Sequence, residues 1–191
     1  MSKFTRREYL DGMRVKTKDG IQRINKILED IDKLDNSKEK YSLEYYLETR
    51  DKLNNALNDA RAAAAKTINS FAELYTWQIE ESYGLNPEDI TPDVELLKTG
   101  VALSERDINI MLHRAEGNLT METLITRYAR DNRIGRFEHA TDPIDYEIQG
   151  ERRYCSDLAE CAHMAVKWSR KEHIYEQLLG EDSNAAIMAE V

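Results

Sequence analysis

Glu160 and His163 stand three residues apart in a helical pattern, which puts a carboxylate and an imidazole on one face. Di-iron helical bundles hold metal with that E-x-x-H pair, used twice and joined by glutamates from partner helices. This chain carries the pair once, so a surface glutamate beside a partly buried histidine is the favoured reading. Cys155, Cys161 and His163 could contribute to zinc. Structural zinc sites, however, use closely spaced pairs such as C-x-x-C, and a six-residue gap along one helix turns the thiols apart. Cys161 fits the apolar stripe of its helix and reads as a small buried residue. No metal and no cofactor are expected.

Arg127, Arg130, Arg133 and Arg136 recur every third residue. They end a short helix, where the partial negative charge of the helix dipole favours cations without any ligand. The alternative is contact with a phosphate or an acidic partner. Residues 105–132 have the cadence of a helix-turn-helix, whose second helix would have to present basic side chains to DNA. A formal charge of −9 weighs against that use, because affinity for a polyphosphate comes from neutralising it. The motifs of the common enzymes are missing: no glycine-rich phosphate loop, no H-E-x-x-H, no G-x-S-x-G and no C-x-x-C. Four scattered histidines form no visible triad. The chain is expected to be non-enzymatic.

The elements that position these residues are helices. The chain has 191 residues, 41% hydrophobic and 33% charged, with three prolines and eight glycines. That is too apolar for disorder, and too poor in turn residues for a β-sandwich. Thr5 and Glu8 form a capping box, with Phe4 and Tyr9 as its hydrophobic staple. A heptad follows, with Leu10, Thr17, Ile24 and Ile31 at one core position and Met13, Gly20, Ile27 and Leu34 at the other. Asp19-Gly20 is also a turn signal, so a break near Gly20 stays open. The second helix is expected from about Leu43 to Tyr83, roughly 60 Å long. Its inward stripe reads Tyr46, Leu53, Ala56, Ala60, Ala63, Thr67, Phe71, Leu74 and Trp77 or Gln78. The Ala62–Ala65 run allows a neighbouring helix to come close.

Three short helices should follow, capped by Thr91, Ser104 and Thr120 and closed near Gly100, Gly117 and Asn132 to Gly135. Beyond Pro143 a last long helix is expected to reach Leu179, with Gly150 as a candidate interruption. The fold class is therefore all-α. A long antiparallel helical hairpin (1–84) is followed by a short-helix bundle (85–136), a long C-terminal helix (137–179) and a flexible tail (180–191).

Two cysteines are too few for a disulfide framework, and the N-terminus MSKFTRREYLDG is charged, unlike a secretory signal. No apolar run reaches the length of a membrane span. A cytoplasmic protein is expected, with no membrane partner.

Residues 93–132, DVELLKTGVALSERDINIMLHRAEGNLTMETLITRYARDN, carry Leu96-Leu97 before Gly100, Leu103-Ser104 opening a helix, Asn118-x-Thr120-Met121 and the pair Tyr128-Ala129. On these features the segment resembles small helical proteins from the head and structural gene modules of tailed phages of Gram-positive bacteria. Those proteins likewise have a long helical region before this segment. The resemblance implies a phage-encoded, scaffold-like or accessory role in virion assembly, in the host cytoplasm or on the virion. It brings no catalytic residues.

Three functions compete. One is a self-associating assembly protein that meets a capsid component. The second is an anti-defence inhibitor, anti-CRISPR-like, that meets a host nuclease. The third is a helical regulator that reads DNA. Acidity and the long hairpin favour the first two. Tyr41, Tyr45, Tyr46, Phe71, Tyr75 and Trp77 exceed what one two-helix seam can cover, so a homo-oligomer, a dimer, is expected. The interaction residues are Leu53, Ala56, Ala60, Ala63, Phe71 and Trp77, with Arg127, Arg130 and Arg133 as a second candidate set.

Overall fold

Thr5 opens the first helix, α1 (Arg6–Asn36), with the expected capping box: its hydroxyl accepts the Glu8 N–H, and the Glu8 carboxylate accepts the Thr5 N–H. The computed structural model describes residues 5–190, so Phe4 of the staple lies outside the described residues. Of the described residues 81% are helical, and no strand occurs among them. The all-α class read from the sequence is the class of the structure. Among the described residues no helix is long and apolar enough to cross a membrane.

The helices after α1 are α2 (Leu43–Ser82), α3 (Val94–Lys98), α4 (Glu105–Arg114), α5 (Leu119–Asp131), α6 (Pro143–Lys167), α7 (Glu172–Leu179) and α8 (Asn184–Glu190). They divide into two compact units. One is Gln78–Arg153, and the other is drawn from the chain before and after it. The division falls inside α2 and inside α6 and differs from the four consecutive segments expected from the sequence.

In the discontinuous unit, α1 and the first part of α2 pair in reverse order. Asp35 accepts from the Tyr46 hydroxyl at 2.9 Å and pairs with Arg50. Further along, Gly20 meets Ala64, Gly12 meets Phe71, and Tyr9 stacks on Tyr75 with ring centroids 4.0 Å apart. The hairpin is therefore antiparallel. Tyr9, Leu10, Met13, Thr17, Gly20, Ile24, Ile31 and Leu34 are buried, close to the heptad in the sequence, and each large one contributes about 1.5–3 kcal/mol on burial. α1 does not break at Gly20. A Cβ there would lie 2.9 Å from the Ala64 Cβ, so this glycine serves close approach rather than a turn.

The later part of α6 lies against both helices of the hairpin. The Cys155 thiol meets the Tyr9 hydroxyl at 3.3 Å, His163 bonds Asn69 at 2.8 Å, and Asn25 donates to the Ser169 carbonyl at 3.2 Å. The expected single helix to Leu179 is interrupted between Lys167 and Glu172, at no glycine or proline. Contacts distant in sequence hold the break: besides Asn25, the Arg170 guanidinium bonds the Leu28 carbonyl and Asp32. Gly150 does not interrupt α6. α7 and α8 then return along α1, where Arg14 donates to the carbonyls of Leu179 and Gly180, and Tyr175 donates to the Arg14 carbonyl. Residues 180–191 were expected as a flexible tail; they contain α8, whose Ala186 is buried.

The second unit closes on Ile108, Met111, Ala115, Met121, Ile125, Ala129 and Phe137. Ser104 and Asp107 make the expected capping box on α4. α5 begins one turn signal earlier than expected: Asn118, not Thr120, caps it by accepting the Met121 N–H. The buried Thr120 hydroxyl instead accepts the Asn86 N–H at 3.0 Å and holds the preceding loop. Gly117 supplies the left-handed turn between α4 and α5 at φ 81°.

Candidate interaction surface

α2 advances 100° per residue, so its sides can be sorted by what they meet. Ala64, Phe71 and Tyr75 face α1. Asn69, Ala72 and Thr76 touch α6 through His163 and Cys155. The side opposite α6 carries Tyr45, Thr49, Ala56, Ala60, Ala63, Thr67, Ser70, Leu74 and Trp77 within about 100° of arc. On it Trp77 is 56% exposed, Tyr45 52% and Leu74 48%. Large apolar groups left in water at both ends of one helix side make it the candidate surface.

The sequence places its inward stripe on this side, and the structure corrects that. The buried line of α2 is Leu57, Ala64, Ile68 and Tyr75, continuing to Ile79. Ala63 and Trp77 are exposed; Leu53, Ala56, Ala60 and Phe71 are half-buried. Of these, Phe71 belongs to the hairpin seam, because its ring stacks on Tyr9 at 5.2 Å and lies over Gly12. The physical reason is that α2 offers two apolar stripes about one residue apart. α1 takes the one whose Ala64 matches Gly20.

The hairpin end adds Tyr41 and Tyr45, ring centroids 5.1 Å apart, with Leu43 73% exposed. Charges border the α2 side. Lys52 pairs with Glu48 at 2.6 Å, which raises the lysine's proton affinity and holds the glutamate below the usual carboxylate range, in each case first through the hydrogen bond. Asp59, Lys66 and Glu73 are exposed and form no ion pair among the described residues.

The arginine set belongs to the unit Gln78–Arg153. Arg127 Nε donates to Asp142, Arg136 bonds Asn109 and pairs with Glu105, and Arg130 lies 3.8 Å from Asp131. Arg133 follows α5 in the left-handed region at φ 52° and is exposed. Two of the four arginines thus tie this unit's elements together.

Cys161, expected to be buried, is half-buried, and Cys155 is the buried cysteine. Burial, then Glu160 and Asp157, push the Cys161 thiol up, which disfavours its thiolate. Among the described residues no three His, Cys, Asp or Glu side chains gather as metal ligands. Compared with protein-family models, curated proteins and solved structures, the chain matches none.

Proposed function

We propose that the chain is a non-enzymatic protein-binding protein that self-associates through α2 and serves as a scaffold-like or accessory component of phage particle assembly. The observation that carries the binding role is the exposed α2 side with Leu74 and Trp77 outward. Aromatic side chains in that position are the type that anchor interfaces. The assembly role rests on the resemblance of residues 93–132 to phage head-module proteins. The partner beyond the second copy is a capsid component.

Light scattering at micromolar concentration tests the binding role. The expected mass is a multiple of the 22.2 kDa chain, and Leu74→Glu with Trp77→Glu should return it to one chain with helicity intact. A folded monomer at every concentration contradicts self-association. A neighbourhood of head genes is expected for the assembly role; an early-gene operon would favour the anti-defence reading instead.

A further inference from the structure

The exposed charges beside the open α2 side recur every seventh residue with alternating sign: Lys52, Asp59, Lys66, Glu73. A heptad spacing keeps them on one flank of a helix that packs along another. We propose that α2 pairs with α2 of a second copy, antiparallel, about a two-fold axis near Ala62 and Ala63. This deepens the self-association reading and rests on it.

An antiparallel pair sets each flank against the same flank of its partner, read in reverse. Centred on the alanine run, Lys52 comes opposite Glu73 of the second copy, and Asp59 opposite its Lys66. The two-fold repeats both, so four opposite-charge pairs form and no like charges meet. A parallel pair gives these charges no partners, because the other flank holds Leu57, Ala64 and Phe71, which are occupied within the hairpin.

In that pairing the inward layers, two residues out of step with the flanking charge pairs, also match in side-chain size. Ala60 meets Ala63 of the second copy at the centre, where small residues allow close approach. Further out, Leu53 meets Ser70, Ala56 meets Thr67, and Leu74 meets Thr49, so a large group faces a smaller one in the outer two layers. Lys52 keeps Glu48 within reach on its own helix and can bridge to Glu73 of the second copy. The side is unobstructed by α6, which touches α2 through Asn69, Ala72 and Thr76 on the opposite side.

Charge reversal in trans is the test, read by sedimentation across micromolar concentrations with helicity checked for every variant. Wild type should dimerise. Lys66→Glu sets glutamate against Asp59 twice per dimer, and Asp59→Lys sets lysine against Lys66 twice. Each alone should raise the dissociation constant about tenfold or more. Mixing the two variants should restore a dimer near wild-type affinity, because every pair across the axis is again of opposite sign. A wild-type dimer that neither variant weakens, or two weakened variants that do not rescue each other, overturns this register and leaves self-association standing. A wild-type monomer overturns both.

Discussion

Arg127 Nε donates to Oδ2 of Asp142, while Oδ1 of the same carboxylate accepts the Ile144 N–H and caps α6. Asp142 is 2% exposed, and Pro143 follows at the first helical position, where its missing N–H costs nothing. One buried carboxylate thus starts a helix and fastens α5 to it. Asp142→Ala removes the cap, worth about 1 kcal/mol, and a charged hydrogen bond worth about 1.5–3 kcal/mol. Urea unfolding should show a loss of about 3 kcal/mol, and Asp142→Asn, which can still accept the Ile144 N–H, should lose less. Equal losses would mean that the cap contributes nothing.

Gly20→Ala tests the close approach of α1 and α2. Intrinsic propensity favours alanine in a helix interior by about 1 kcal/mol, so a merely permissive site would be stabilised. Here the added methyl would sit 2.9 Å from the Ala64 Cβ, and overpacking of that kind costs about 1–3 kcal/mol. The variant should be destabilised, or at best neutral, in thermal unfolding. A raised midpoint would show that the helices yield freely.

These two sites mark what the sequence could and could not disclose. Local signals carried far: Thr5 with Glu8 and Ser104 with Asp107 cap as their spacing predicts, and the heptad in α1 names most of its buried face. Such features depend on residues three to seven apart. The break after Lys167 depends on Asn25, Leu28 and Asp32, well over a hundred residues away, and no local residue announces it. The side of α2 that faces inward was equally hidden. Periodicity finds both apolar stripes but cannot say which one α1 takes; the pairing of Gly20 with Ala64 decides that. The surface charges Lys52, Asp59, Lys66 and Glu73 were present in the sequence, yet their common exposure becomes visible once α1 and α6 are in place.

Duplex DNA should not bind measurably at physiological salt, given a charge of −9. The local basic run offers little relief, because Arg127 is committed to Asp142 and Arg136 to Glu105 and Asn109. Fluorescence anisotropy with a random duplex should stay flat into the micromolar range. Binding that disappears with Arg130→Glu and Arg133→Glu, both away from the Asp142 pair, would instead put the DNA-regulator reading first.

The pH response of the hairpin should trace to Tyr9. Burial first, then its bond to the Cys155 thiol and the neighbouring Cys155, Tyr75 and Tyr154, push its ionisation well above the ordinary tyrosine range. A group whose pKa is raised by folding stabilises fully below its unfolded value, about 10 for tyrosine. That stability is lost as pH rises above the unfolded value towards the folded one, because the unfolded chain releases the proton and the native core does not. Tyr175, raised mainly by its own burial, adds to the same trend. Wild-type stability should therefore be level from about pH 7 to 8, ease down as the raised Cys161 thiol begins to count, and fall more steeply from about pH 10 upward. Tyr9→Phe keeps the ring stack on Tyr75 and gives up a weak contact to sulfur, so at pH 7 it should lie close to wild type. Above about pH 10 its decline should be shallower. Circular dichroism melts of both proteins across that range decide it, and parallel curves would remove Tyr9 as the titrating group.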